Sequence, residues 1–95
     1  MMIVHDLIWL EEVEEKIARK HRVYPDEVEE VFLRRPHIRF MERGHRPDED
    51  LYAAFGQSDA GRYLAVYFIL KPGPAGLVIT ARDMTEKEKR TYGRK

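Results

Sequence analysis

The segment Arg62 to Leu70, reading Arg-Tyr-Leu-Ala-Val-Tyr-Phe-Ile-Leu, constrains this chain more than any other. It is almost continuously apolar, and turn chemistry brackets it: Ser58-Asp59-Ala60-Gly61 before it and Lys71-Pro72-Gly73-Pro74 after it. Such a run reads as a central strand covered on both faces. Connections this short can return the chain only in the antiparallel sense. Leu51 to Gln57 and Leu77 to Ala81 are therefore predicted as its partners. The run falls far short of the roughly 18 residues a membrane helix requires, and the amino terminus shows no basic-then-apolar leader. The expectation is a cytoplasmic chain with no membrane contact.

Upstream, the apolar period changes from two to that of a helix. Leu10, Val13 and Ile17 share one stripe, while Glu11, Glu12, Glu14 and Glu15 lie off it. Acids crowd the start of this helix and Lys16, Arg19, Lys20 and His21 its end, the polarity the helix dipole favours. The helix is expected to stop near His21. Pro25 suits the first position of a second helix that buries Val28, Val31 and Phe32 and stops before Pro36. Ile38 and Phe40 then alternate with Arg39 and Met41 as a half-buried strand. A short opening strand is expected over Met2 to His5. Thr85 and Glu88 form a capping box that starts a short final helix. The predicted fold is α+β, with the helices on one face of a small antiparallel sheet.

Ninety-five residues fit a single domain, 1–95, because separate cores arise only beyond roughly 250 residues. Basic and acidic side chains balance at 17 each, so overall charge favours no partner. Their distribution does: residues 1–50 hold 13 acids and 9 bases, residues 51–95 hold 4 and 8. A polyanion should prefer the second half.

No metal or cofactor is expected. There is no cysteine, and His5, His21, His37 and His45 lack the spacing of helical zinc pairs. The glycines do not form a phosphate-cradling loop with a following lysine. What remains is a set of cations and hydrogen-bonding groups: Lys16, Lys20 and His21; Arg82; Glu88, Arg90 and Tyr92. Such a set suits metal-free RNA cleavage, because the 2′-hydroxyl is a built-in nucleophile needing only position, deprotonation and charge neutralisation. Arg82 and Arg90 would neutralise the transition state, with His21 or Glu88 exchanging protons. The same residues also read structurally. His21 continues the apolar stripe of Ile17, Glu88 is explained by the capping box, and Lys16 and Lys20 suit helix pairs with nearby glutamates.

Three segments carry a family resemblance. The first is Lys16 through Lys20-His21, then Val23 and Glu27-Val28-Glu29-Glu30-Val31-Phe32. The second is Phe55-Gly56-Gln57-Ser58 with Gly61-Arg62-Tyr63-Leu64-Ala65-Val66-Tyr67. The third is Ile79-Thr80-Ala81-Arg82 followed by Thr85, Glu88, Arg90 and Tyr92. In order and spacing they resemble the BrnT toxins, RelE-like ribonucleases of type II toxin–antitoxin systems. The resemblance implies a RelE-like fold of two N-terminal helices on a small antiparallel sheet with a short C-terminal helix. It further implies cytoplasmic, metal-independent RNA cleavage that inhibits translation. The implied partner is a BrnA-like antitoxin with a ribbon-helix-helix DNA-binding domain, in a toxin–antitoxin hetero-oligomer. On matching motif positions it carries over Lys20, His21, Arg82, Glu88 and Arg90. Together with the set read from the residues, Arg82, Arg90, His21 and Glu88 are expected as catalytic residues and Lys16, Lys20 and Tyr92 as RNA contacts.

Three positions depart from the family pattern. Leu10-Glu11 replaces an aspartate-proline pair after Trp9, Arg22 replaces a glycine after Lys20-His21, and Asp83 stands where a basic residue is common. An acid beside Arg82 is expected to weaken phosphate attraction. That keeps open a second reading, a catalytically weak toxin fold that grips a partner as corepressor.

Overall fold

The computed structural model describes residues 3–94. In chain order these form β1 (Asp6–Ile8), α1 (Glu11–His21), α2 (Pro25–Leu33), β2 (His37–Glu42), β3 (Leu51–Gln57), β4 (Tyr63–Lys71), β5 (Ala75–Asp83) and α3 (Glu86–Gly93). The sheet runs β1-β5-β4-β3-β2. Strands β2 to β5 pair antiparallel in sequence order, and β1 joins the far edge parallel to β5. The apolar run is the middle strand, as expected. No helix among the described residues is long and apolar enough to cross a membrane.

Alternation on β4 builds two cores. Leu64, Val66 and Phe68, all fully buried, face α1 and α2 and meet Ile17, Val23, Val28 and Val31. Ala65 and Tyr67 face the other way, into a smaller cluster with Ala53, Phe55, Met84 and Tyr92. Helix α2 starts at Pro25, buries Val28 and Val31, and sets Phe32 edge-on against Phe68 at 5.3 Å. The Thr85 box forms: the Glu88 amide donates to Thr85 Oγ1 at 3.1 Å, and the Thr85 amide donates to Glu88 Oε1 at 2.8 Å.

Three expectations change. Helix α3 lies on the sheet face opposite α1 and α2, because Tyr92 is its apolar anchor and packs into the smaller cluster. The sheet is thus covered by helices on both faces rather than one. The opening strand is Asp6–Ile8 rather than Met2–His5, of which Met2 lies outside the described residues. Its register is set by β5 rather than by its own pattern: Leu7 sits opposite Gly76, where an added Cβ would meet Leu7, Phe68 and Val4 at 3.2–3.4 Å. Strand β2 is an edge strand whose Phe40 is 55% exposed, since α2 covers the sheet only as far as Ile38.

Two of the positions that depart from the resembled pattern cap the ends of α1. Leu10 is its N-cap and makes no side-chain cap bond. Arg22 is its C-cap, held left-handed at φ 54°, the geometry that favours glycine.

Candidate functional site

Two arginine networks flank the end of β5, one on each face. On the α1/α2 face, Arg62 donates from Nε to Asp83 Oδ1 at 2.7 Å and from a terminal nitrogen to Asp83 Oδ2 at 3.2 Å. Its other donors reach the carbonyls of Arg22 at 2.7 Å and His21 at 2.9 Å, and the Glu27 carboxylate at 3.2 Å. One guanidinium thus satisfies carbonyls left open at the end of α1 and ties them to α2 and β5. The Arg62 hydrogen bond holds Asp83 below the usual carboxylate range.

On the α3 face, Arg82 forms a fork with Glu88, at 2.7 Å to Oε1 and 2.9 Å to Oε2. It also donates to the Tyr67 hydroxyl at 3.0 Å and lies 5.5 Å from that ring's centre. The fork is the main cause holding the Glu88 carboxyl down at about 2, with the Thr85 amide adding to it. The same bond raises Arg82 above its ordinary value.

Beside this fork a cavity of about 260 Å³ opens between α3 and the β2/β3 edge. His37, Arg39 and Phe55 form its sheet wall, and Thr85, Lys87, Glu88, Thr91 and Tyr92 its helix wall. The register explains the sheet wall. His37 lies opposite Phe55 and Arg39 opposite Ala53, so all four point to the α3 face.

The structure divides the residues expected to act together. Glu88 and Tyr92 line the cavity, and Arg82 stands behind Glu88. Arg90 is exposed on α3 and does not line it. Lys16 and Lys20 are exposed on α1 on the opposite side of the sheet, and neither forms an ion pair with a described residue. The helix pairs foreseen for them with neighbouring glutamates are therefore absent among the described residues. His21 ends α1, half-buried, close enough to act on the charge of Asp83. Asp83 itself points away from Arg82. Its carboxylate is paired with Arg62 on the α1/α2 face rather than placed beside the Arg82 guanidinium.

His37, Arg39 and Lys87 were not singled out from the sequence. The alternation of Ile38 and Phe40 with Arg39 is a local signal, whereas the helix that covers the Arg39 face is set by Tyr92, far along the chain. Among the described residues no group of His, Asp and Glu side chains could hold a metal ion.

Comparison with known proteins bears on these features. No curated protein sequence matches the chain. A crystal structure of the Brucella abortus ribonuclease toxin BrnT, at 1.1 Å resolution, has the same fold. Its TM-score is 0.61 at 23% identity, covering 85% of this chain and 97% of that one. A family model described as ribonuclease toxin, BrnT, of type II toxin–antitoxin system matches residues 9–88. The match takes in both caps of α1, the Arg62 network and the Arg82–Glu88 fork, and on its extent the chain belongs to the BrnT family of RelE-like ribonuclease toxins.

Proposed function

We propose that the protein is a metal-independent endoribonuclease that inhibits translation in the cytoplasm and is neutralised by an antitoxin carrying a ribbon-helix-helix domain. The family match across residues 9–88 carries this reading. In the reaction the 2′-oxygen attacks the adjacent phosphorus and the 5′-oxygen leaves, giving a 2′,3′-cyclic phosphate and a 5′-hydroxyl. One proton leaves the 2′-hydroxyl and one joins the departing oxygen.

Arg82 and Arg90 are assigned to neutralising the phosphate, and His21 to proton exchange. Lys16, Lys20 and Tyr92 are assigned to strand contacts. A carboxyl held at about 2 is too weak a base for a 2′-hydroxyl near neutral pH, so Glu88 is assigned to holding Arg82 in place. The RNA would cross the rim where β5 ends, because the end of α1 and the start of α3 both meet the chain there.

One observation favours the second reading, a weak or inactive toxin fold that binds a partner as corepressor: Arg82 is already engaged by Glu88, Tyr67 and the Asp83 carbonyl. Incubating purified protein with single-stranded RNA in chelator separates the two. The enzyme reading expects cyclic-phosphate ends and a loss of roughly a hundredfold to a thousandfold on Arg82→Ala. Intact RNA, with no effect on growth when the protein is induced in a bacterial host, leaves the binding module.

A further inference from the structure

We infer that the cavity between α3 and the β2/β3 edge is a binding site for one unpaired nucleotide of an RNA strand. Arg39 and Lys87 hold its phosphate, and its base lies against Tyr92. The inference deepens the ribonuclease reading and rests on it for the identity of the polyanion.

Three observations converge on this pocket. First is its charge. Arg39 and Lys87 project from opposite walls and form no ion pair with a described residue. The one acid in the lining, Glu88, is neutralised by Arg82. The cavity is therefore net cationic although the chain is neutral overall.

Second is its chemistry. Phe55 and Tyr92 supply ring surface beside those cations, and Tyr92 is steadied edge-on by Tyr63 at 6.1 Å. Aromatic faces interleaved with cations are how proteins hold single strands, since every base has a face to stack. His37 adds a polar ring to the sheet wall.

Third is its size. At about 260 Å³ the cavity lies just below the range of clefts that take drug-sized ligands, enough for one nucleotide unit. A paired helix keeps its bases stacked inside, so its base faces cannot reach Tyr92.

The test uses the full chain and a fluorescent single-stranded oligouridine with 2′-O-methyl riboses, which cannot be cleaved by its own 2′-oxygen. Anisotropy is read over a series of salt concentrations. Binding is expected to weaken with salt, and Arg39→Ala and Lys87→Ala each to lower the log–log slope by about 0.7, the share of one phosphate contact on a single strand. Tyr92→Leu is expected to weaken binding about tenfold with the slope unchanged. Arg19→Ala, on exposed α1, should match the wild type.

Arg39 and Lys87 are exposed, so both variants should fold, and thermal melts verify it. Slopes and affinities equal to wild type in folded Arg39→Ala and Lys87→Ala would overturn the inference, as would equal affinity for a duplex of the same length. Cleavage of unmodified RNA, measured in parallel, keeps the two readings apart. Lost slope without cleavage in any variant sinks the enzyme alone, and cleavage with unchanged slopes sinks the nucleotide site alone.

Discussion

Arg82 and Asp83 are neighbours on β5, yet their side chains stand on opposite faces of the sheet, each bound to a different partner. Arg82 lies opposite Ala65 and meets Glu88, whereas Asp83 lies opposite Leu64 and meets Arg62. Strand alternation separates two charges that adjacency in sequence would pair. Asp83 therefore belongs to the network that secures the end of α1. Placing a basic residue there by Asp83→Lys should not strengthen RNA binding. It should place a second cation against Arg62 and lower stability by about 2 kcal/mol, against about 1 kcal/mol for Asp83→Asn, whose parent side chain is well exposed. Urea denaturation of the three proteins measures this order.

The hub itself should be costlier to lose. Arg62 holds two carbonyls at the end of α1 and two carboxylates from other elements. Arg62→Ala leaves those acceptors without their donor and is expected to lower stability by about 2–3 kcal/mol. Arg62→Lys should recover little, because one ammonium cannot span acceptors arranged for a planar fork. Equal unfolding midpoints for Arg62→Lys and wild type would contradict the geometry.

The departures at the two caps of α1 predict that the helix is less stable than it need be. Leu10 is 44% exposed and gives the helix start no side-chain acceptor. Leu10→Asn supplies one without adding to the charge of Glu11, Glu12 and Glu14, and should raise stability by about 1 kcal/mol. At the other end Arg22 holds a left-handed backbone that costs a non-glycine residue about 1–2 kcal/mol. Its interaction with Arg62 uses the carbonyl alone, so Arg22→Gly keeps that bond and should also stabilise, by about 1 kcal/mol. The sites lie at opposite ends of the helix and their effects should add. Thermal melts of the single and double variants check both claims.

What the sequence revealed follows from how local each signal is. Helices α1 and α2, the middle strand and the Thr85–Glu88 box rest on patterns within a few residues, and each formed where expected. The order of segments carried the family. Features set by distant parts of the chain were harder to see. Strand β1 takes its register from Gly76, which lies opposite Leu7 but far from it along the chain. The side taken by α3 depends on Tyr92 finding Phe55 and Met84. A cavity wall of His37 and Arg39 exists only because α3 covers that face, and no local pattern states which face α3 takes. Lys20, His21, Arg82 and Arg90 could be named from motifs, but a motif records order along the chain, not which face of a sheet a side chain occupies.

The Arg82–Glu88 fork makes a prediction in pH. Glu88 sits at about 2 in the folded protein, against an ordinary value of 4.5, because its charged form accepts two bonds from Arg82 and another from the Thr85 amide. A carboxyl lowered by folding stabilises the fold fully above its unfolded value, and that contribution fades as pH falls toward the folded one. The fork's contribution should therefore be constant from neutral pH down to about 5 and lost between there and 2. Glu88→Gln keeps a capping acceptor for Thr85 but removes the titration. Its deficit against wild type is expected to be about 1–2 kcal/mol at pH 7 and to close by pH 2. Urea unfolding at half-unit pH steps resolves this window, and a deficit that stays level down to pH 2 would show that Arg82 does not hold the Glu88 charge.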